Sequence, residues 1–344
     1  MERVMSILLE EFSKYKAVEL HLVLIGRSRN IEWEIPAAVS IHIPKWRFNN
    51  QKRHWHTVKT LTFIRNTVNM IQPDRILSFG EIWNNLVLLA LYGTSFPVYV
   101  SDRSTPNKDL GRLQNFLRQK LYSTAAGFIA QTRQAGEVAE KRKWNSNIEV
   151  IGNPVPEMPQ GAHNQNTVLT VGRLIPTKNV DRLLSMFKSV AEGNIWRLQI
   201  IGGNAKRGEL LEKYIQQVQD WGWENRIQLL GQQKDIISYY QSAKIFAFTS
   251  ASEGFPNALA EAMAAGCACI AYDCIAGPAD MIDDGINGFL IPMGDEEQYK
   301  NKLQLLMEDA SLRNRFGKEA TKKMEGFEAS KIAARFYKII TKDK

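Results

Sequence analysis

At 344 residues, 44% hydrophobic and 23% charged, the chain has the size and composition of a folded polypeptide with two separate cores, not of a disordered or fibrous one. Its net charge of +8 is unevenly placed: residues 1–150 carry 21 Lys/Arg against 13 Asp/Glu, whereas residues 151–344 carry 23 of each. The excess positive charge therefore belongs wholly to the first half, which is expected to face an anionic partner or surface. No apolar run reaches the roughly 18–20 residues that cross a bilayer. Three cysteines, Cys267, Cys269 and Cys274, do not make a disulfide framework, so the cytoplasm is the default compartment.

The chain opens on an amphipathic helical pattern, "MERVMSILLEEFSKYK", and then alternates short apolar strands with helical stretches. In the first half the strand candidates are "AVELHLVLIG", "VSIHIP", "RILSFG", "FPVYVS", "GFIAQT" and "IEVIGNPV". The helix from Trp55 to Ile71 is expected to bury Val58, Leu61, Ile64, Val68 and Ile71 on one face. In "NKDLGRLQNFLRQK", Lys108, Arg112, Asn115 and Gln119 share one helical face, with Leu110, Leu113, Leu117 and Leu121 opposite. "GNPVPEMPQGAHNQN" lacks periodicity and reads as an interdomain linker, with a boundary near residue 160. The second half repeats the scheme with "NTVLTVGRL", "WRLQIIGG", "IQLLG", "KIFAFTS", "CACIAYD" and "GFLIP". The expected class is α/β, with domains at 1–160 and 161–325 and a final helical segment, 326–344, returning toward the first domain. Ligands of doubly wound sheets bind beyond the carboxyl ends of the strands, so the loops after each strand are where chemistry is sought.

Three such loops stand out. "TSASEGFPNALAEAMAAG" follows a strand; Pro256 suits a first helical position and Gly266 a helix end. Backbone N–H groups around Gly254, Phe255 and Asn257 would face phosphate oxygens at the helix start. Glu253, just outside that tip, and Glu261, inside the helix, would accept from hydroxyl pairs on either side of the phosphates. Two solvated glutamates on a surface helix is the equally weighted alternative. "VLTVGRLIPTKNVDRLL" sets Gly172, Arg173 and Lys178 after the next strand end, two cations suited to a diphosphate leaving group, with Asn179 placed to cap the following helix. "LQIIGGNAKRGE" offers Gly202 and Gly203 for close backbone approach, and "LLGQQKDI" a further loop beside a base; neither carries a dinucleotide or P-loop fingerprint. Asp283 and Asp284 before Gly285 fit turn chemistry, and no spacing of His, Cys and carboxylates suggests a metal, so neither cofactor nor metal is expected.

Taken together these residues resemble the retaining family-4 glycosyltransferases of the GT-B fold, in which two Rossmann-like domains face each other across a cleft. Glu253 and Glu261 match the family's E-x7-E signature within "EGFPNALAEAMAAG"; "VGRLIPTKN", "IIGGN" and "DDGINGFLIP" match its other second-domain segments. The resemblance covers nearly all of the second half and is looser in "ERVMSILLEEF", "ILSFGEIWNNLVLLA" and "VYVSDRSTPN". It implies that Arg173 and Lys178 bind the donor diphosphate, Glu253 the transferred sugar and Glu261 the ribose, with Arg103 the first domain's contribution. It also implies transfer, with retention, from a nucleotide-sugar, a UDP-hexose or UDP-N-acetylhexosamine being preferred, to a glycan or lipid-diphosphate-linked acceptor in polysaccharide or glycolipid assembly. The basic, aromatic stretch "PKWRFNNQKRHWHTVKTLTFIRN" suits an anionic membrane surface at the inner face of the plasma membrane, or else is an ordinary solvated face; no nucleic-acid module accompanies it. One departure stands against the pattern. Family members begin with a strand and glycine-rich loop ahead of the "ERVM" helix, so either the start lies upstream or the first sheet lacks a central strand, with impaired catalysis. A non-catalytic sugar-binding protein, a sugar-nucleotide epimerase and a phosphorylase are the rival classes.

Overall fold

Val98–Ser101 and Gly127–Ala130 are buried at every position, which requires a sheet covered on both faces. The computed structural model describes residues 2–25, 31, 33–205 and 208–341, and the chain divides into two units, Met1–Pro154 with Ala329–Lys344, and Val155–Glu328. In the first unit the strands are β1 (Leu20–Val23), β2 (Val39–His42), β3 (Ile76–Phe79), β4 (Val98–Ser101), β5 (Gly127–Ala130) and β6 (Ile148–Val150). All pairings are parallel, but among the described residues they form two sheets and not one: β1 pairs with β2, and β3–β6 run in sequence order.

The second unit holds β7 (Gln165–Val171), β8 (Arg197–Ile201), β9 (Ile227–Gly231), β10 (Ala243–Phe248), β11 (Ala268–Asp273) and β12 (Phe289–Pro292). They form one parallel sheet in the order β12-β11-β10-β7-β8-β9. Consecutive residues alternate between two cores, as the period-two geometry of a strand demands. Val168, Ile245 and Ile270 enter one hydrophobic cluster, and their neighbours Leu169, Phe246 and Ala271 enter the other, on the opposite face. The three cysteines are buried and unpaired, and burial pushes the Cys267 and Cys274 thiols up to about 12, Glu253 adding to the rise at Cys274.

Three expectations need correction. The division falls after Pro154 and not near residue 160, because the supposed linker is strapped onto the second unit: the two ring nitrogens of His163 lie 2.6 and 2.9 Å from the carbonyls of Ala243 and Ala265, and Val155 N–H donates to Phe327. The helix Arg53–Ile71 buries His56, Thr60, Ile64, Thr67 and Val68, leaving Val58 in solvent. The helix Arg112–Leu121 buries Arg118, at 2% exposure, and puts Leu113 at 66% exposure. Arg118 goes inward because its guanidinium stacks 4.4 Å above Trp144 and sits 3.7 Å from the Asp102 carboxylate, two partners that periodicity does not reveal.

The closing helix Ala329–Thr341 packs on the opening helix Glu2–Ser13 through Tyr337, which lies edge-on to Tyr15 at 4.9 Å. Within the second unit the helix Ala310–Met324 approaches the end of the helix Asn257–Ala264 so closely that a Cβ on Gly317 would lie 2.2 Å from the Gly266 carbonyl oxygen. Gly317→Ala is therefore expected to lose about 1–3 kcal/mol in urea denaturation; unchanged stability would show that the two helices separate freely.

Candidate active site

In the sheet of the second unit the chain moves outward from β7 through β8 to β9, then returns to the other side of β7 with β10. Loops leaving β7 and β10 thus diverge over opposite faces and open a crevice at their carboxyl ends. Of the residues singled out from sequence, Gly172, Arg173, Lys178, Glu253, Gly254, Phe255 and Pro256 fall in these two segments, Asn257 and Glu261 in the helix that follows, Gly202 and Gly203 after β8, and Arg103 after β4 of the first unit. After β7, Gly172–Ile175 leads into a short 3-10 turn, Pro176–Lys178; after β10, Thr249–Pro256 leads into the helix Asn257–Ala264. The loops are stitched together. Thr249 Oγ1 donates to the Lys178 carbonyl at 2.8 Å, Asn179 Nδ2 donates to the Thr249 carbonyl at 2.9 Å, and the Ala251 N–H donates to Thr177. Asn179 therefore does not cap the following helix with its side chain, as expected; it adopts φ 49° and bridges to β10 instead.

Above this seam Lys178 Nζ meets Glu253 Oε1 at 2.5 Å, with the ammonium 5.5 Å above the ring of Phe248. Their side chains are only 21% and 14% exposed, so neither is a freely solvated surface charge. A cavity beneath the pair is lined by Gly172, Leu174, Lys178, Phe248, Thr249 and Ser250. Glu261 is likewise buried, and the Tyr240 hydroxyl donates to its Oε2 at 3.2 Å. The reading of two solvated glutamates does not hold. Arg173 is exposed and has no side-chain partner among the described residues.

At the helix start the arrangement differs in one detail from expectation. The Asn257 N–H is turned back onto the Phe255 carbonyl at 3.0 Å and so is occupied, whereas the N–H groups of Gly254 and Phe255 have no hydrogen-bond partner among the described residues. The ring of Phe255 points into the core, 6.0 Å from Phe327, anchoring the turn that presents those two groups. Pro256 stands immediately before the helix and packs over Gly277, where a Cβ would come within 2.2 Å of its ring. The loop after β8 lies alongside: Leu174 N–H donates to the Gly203 carbonyl, and a Cβ on Gly202 would be 1.7 Å from the Gly172 carbonyl oxygen. Lys206 and Arg207 of that loop lie outside the described residues.

The first unit carries a second polar cluster in the loop after β4. The Arg103 guanidinium lies 3.6 Å above the Phe79 ring, and its Nη1 donates to Asn153 Oδ1 at 2.7 Å, while Nε and Nη2 are buried without hydrogen-bond partners among the described residues. Burial pulls its pKa down to about 9 against the opposing pull of Asp102 and Glu81. Glu81 Oε1 accepts from the N–H groups of Arg103 and Ser104, fixing the loop. Behind it, Asp102 Oδ1 accepts from the Tyr122 hydroxyl at 2.5 Å and from Asn84 Nδ2 at 3.1 Å.

The family model "Glycosyl transferases group 1" matches residues 157–323, the span that contains both stitched loops. Over 274 residues the chain is 32% identical to the "Amylovoran biosynthesis glycosyltransferase AmsD" of Erwinia amylovora, covering 76% of each. This chain belongs to the group 1 glycosyltransferases. It is also 29% identical over 354 residues to a Campylobacter jejuni N-acetylgalactosaminyltransferase whose name specifies a diphospho-undecaprenol acceptor, covering 96% of this chain and 93% of the relative. Among solved structures, Anabaena HepE in complex with UDP superposes with a TM-score of 0.81 at 16% identity, over 99% of this chain and 96% of that one. The fold of this glycosyltransferase is GT-B.

The structure brings Lys178 and Glu253, both singled out from sequence, into contact and buries Glu261 against Tyr240, and it adds a cluster that the sequence reading did not suggest, Asp102 with Asn84, Tyr122 and Glu81. "SFGEIWNN" does hold a signal, an acid directly after a strand-end glycine, yet its targets lie over twenty residues away. Burial, then the neighbouring Glu81, raises the Asp102 carboxyl from 3.8 to about 7, more than Tyr122, Arg118 and Asn84 pull it down. The folded state therefore holds a proton that the unfolded chain has released between those two values, and stability falls as pH rises through that window. Asp102→Asn, which keeps an acceptor for Tyr122, is expected to flatten the fall in Tm measured from about pH 4 to about pH 8; an unchanged profile would show that Asp102 is ionised throughout.

Proposed function

We propose that this glycosyltransferase is a retaining enzyme that moves a hexose or N-acetylhexosamine from a UDP-sugar to a glycan or lipid-diphosphate-linked acceptor in polysaccharide or glycolipid assembly. The observation that carries this reading is the Lys178–Glu253 pair at the switch point of the sheet, beside the unpartnered N–H groups of Gly254 and Phe255. Two donors with a cation next to them suit a pyrophosphate, and a carboxylate held in place by that cation suits the hydroxyls of a sugar attached to it. Relatives support the chemistry by their names: one serves amylovoran biosynthesis, another acts on a diphospho-undecaprenol acceptor, and a solved neighbour holds UDP.

On this reading the donor pyrophosphate rests on Gly254 and Phe255, with Pro256 and Asn257 shaping the turn that presents them. Arg173 and Lys178 meet its charge. Glu253 accepts from hydroxyls of the transferred sugar, and Glu261, oriented by Tyr240, accepts from the ribose. Gly202, where a Cβ would meet the Gly172 carbonyl, keeps the two loops close, and Gly172 and Gly203 let the nucleotide approach the backbone. Arg103 contributes the first unit's positive charge on the acceptor side. The bond from the anomeric carbon to the phosphate oxygen breaks as the acceptor oxygen forms its own bond on the same face. The acceptor's proton passes to the departing phosphate oxygen, so retention needs no protein nucleophile. Lys178 contributes most where negative charge grows on that oxygen.

Lys178→Ala is expected to lower kcat by about a hundredfold or more, about 2.7 kcal/mol of transition-state stabilisation, while its circular dichroism stays native. Near-normal turnover would remove Lys178 from the mechanism. For the donor, UDP at a hundred times its Kd should raise stability by about 2.7 kcal/mol in thermal shift, and GDP and ADP should do less. Equal shifts from all three would overturn the uridine assignment, and sugar-nucleotide isomerisation without an acceptor would favour an epimerase.

A further inference from the structure

Two helices of the first unit are turned the wrong way for a surface exposed to water alone. The helix Arg53–Ile71 buries His56, Thr60 and Thr67 while Trp55 and Val58, one turn apart, stand 59% and 52% exposed. The helix Arg112–Leu121 buries Arg118 and exposes Leu113 and Phe116, also one turn apart, at 66% and 59%. Between them lies the helix Glu81–Ala90, which packs against both and exposes Ile82 and Leu89, two turns apart on a single stripe. Hydrogen bonds fix the three as neighbours: Arg65 Nη1 donates to the Ala90 and Tyr92 carbonyls, and Asn85 Nδ2 donates to the Gln114 carbonyl and side chain. Leaving a large apolar side chain in water forgoes about 1.5–3 kcal/mol of burial. Six of them across three adjacent helices form an apolar face that requires a cover.

The charges around this face select what covers it. Between Glu34 and Asp74 the chain has no acidic residue and six cations: Lys45, Arg47, Lys52, Arg53, Lys59 and Arg65. The helix Arg112–Leu121 has no acidic residue either and exposes Arg112 and Lys120. The one acid of the middle helix, Glu81, is buried and spent on the backbone of Arg103 and Ser104. Lys59 Nζ lies 5.5 Å from the Trp55 ring centroid and 5.9 Å from that of Trp46, a cation held between indoles of the kind that sit at headgroup depth. Asp109, exposed just before the helix Arg112–Leu121, is turned onto the Gly111 N–H and the Asn115 side chain. An apolar centre with a surround in which cations outnumber acids matches the acyl boundary and phosphates of an anionic bilayer.

We propose that the face formed by Trp55, Val58, Ile82, Leu89, Leu113 and Phe116 docks this chain onto an anionic lipid surface. Docking deepens the lipid-linked acceptor reading above, because the middle helix starts at the Glu81 carboxylate that fixes the Arg103 loop, so the same element joins the bilayer contact to the proposed acceptor-side residue. The test pairs the wild type with Leu113→Glu/Phe116→Glu, both exposed positions, and measures co-sedimentation with vesicles of phosphatidylcholine alone or mixed with phosphatidylglycerol. Wild type should partition onto the mixed vesicles, with binding reduced but not abolished by high salt, and the double variant should bind at least about tenfold more weakly. Sedimentation velocity on the same samples identifies a second copy of the chain as the cover: a wild-type dimer that the double variant dissociates, with no vesicle binding by either, would overturn the proposal. So would equal binding by both proteins, or indifference to phosphatidylglycerol. The UDP thermal shift is measured in parallel and should be the same in both, so that loss of vesicle binding with an intact shift is charged to this surface, and absence of the shift to the donor reading.

Discussion

A parallel sheet that reverses its direction of growth must part its loops at one place, and the candidate site of this glycosyltransferase is built in that parting. β7 lies next to both β8 and β10, so the chain leaving its end and the chain leaving the end of β10 enclose a crevice. What keeps the crevice from being a mere gap is a set of short bonds between the two loops, from Thr249, Asn179 and Ala251, ending in the ion pair of Lys178 and Glu253. A charge pair this shielded contributes through its geometry more than its attraction, since taking both groups from water costs about as much as their contact returns. Its value lies in holding one cation and one carboxylate at fixed places beside two unpaired N–H groups.

The first unit solves a different problem with the same tools. Its Arg103 loop carries a buried guanidinium with two donors unpaired among the described residues, an arrangement that costs free energy unless the surroundings over-determine it. They do. Glu81 grips the backbone on one side, Phe79 supports the guanidinium plane, and Asn153 takes one donor. Asp102, immediately before it, is held between Tyr122, Asn84 and Arg118, which favour its ionised form, but burial and then the Glu81 charge outweigh them and raise its pKa to about 7. Two carboxyl groups at this loop thus have different duties: Glu81, from the start of the helix Glu81–Ala90, accepts from backbone donors, and Asp102, in the loop itself, is locked in a side-chain network.

Inverted helices on the same unit connect with this. Arg118 was drawn inward by Trp144 and Asp102, and once it faces the core the rest of its helix must turn with it, carrying Leu113 and Phe116 outward. The interior network and the exposure of Leu113 and Phe116 are therefore two consequences of one rotation, with Arg118 linking them.

Much of the fold was legible from the chain because it rests on local rules. All twelve strand candidates are strands, since short runs rich in apolar and β-branched residues and bounded by Gly and polar turns leave few alternatives. The loops bearing Lys178, Glu253 and Glu261 were legible too, because a strand end followed by a glycine turn and a short helix is a sequence-local device. What periodicity could not give was which face of a helix is buried when cations and aromatics compete for the interior, as at Arg118, Val58 and Leu113. It also could not show that Asn257 spends its N–H on Phe255, that Asn179 reaches Thr249 and not its own helix, or that Asp102 meets partners from Asn84 to Tyr122. The sequence by itself determined the alternation of strands and helices and the position of the chemistry at strand ends. Only the tertiary structure decided who pairs with whom, because pairing energies depend on distances between residues far apart in the chain, and no local pattern records them.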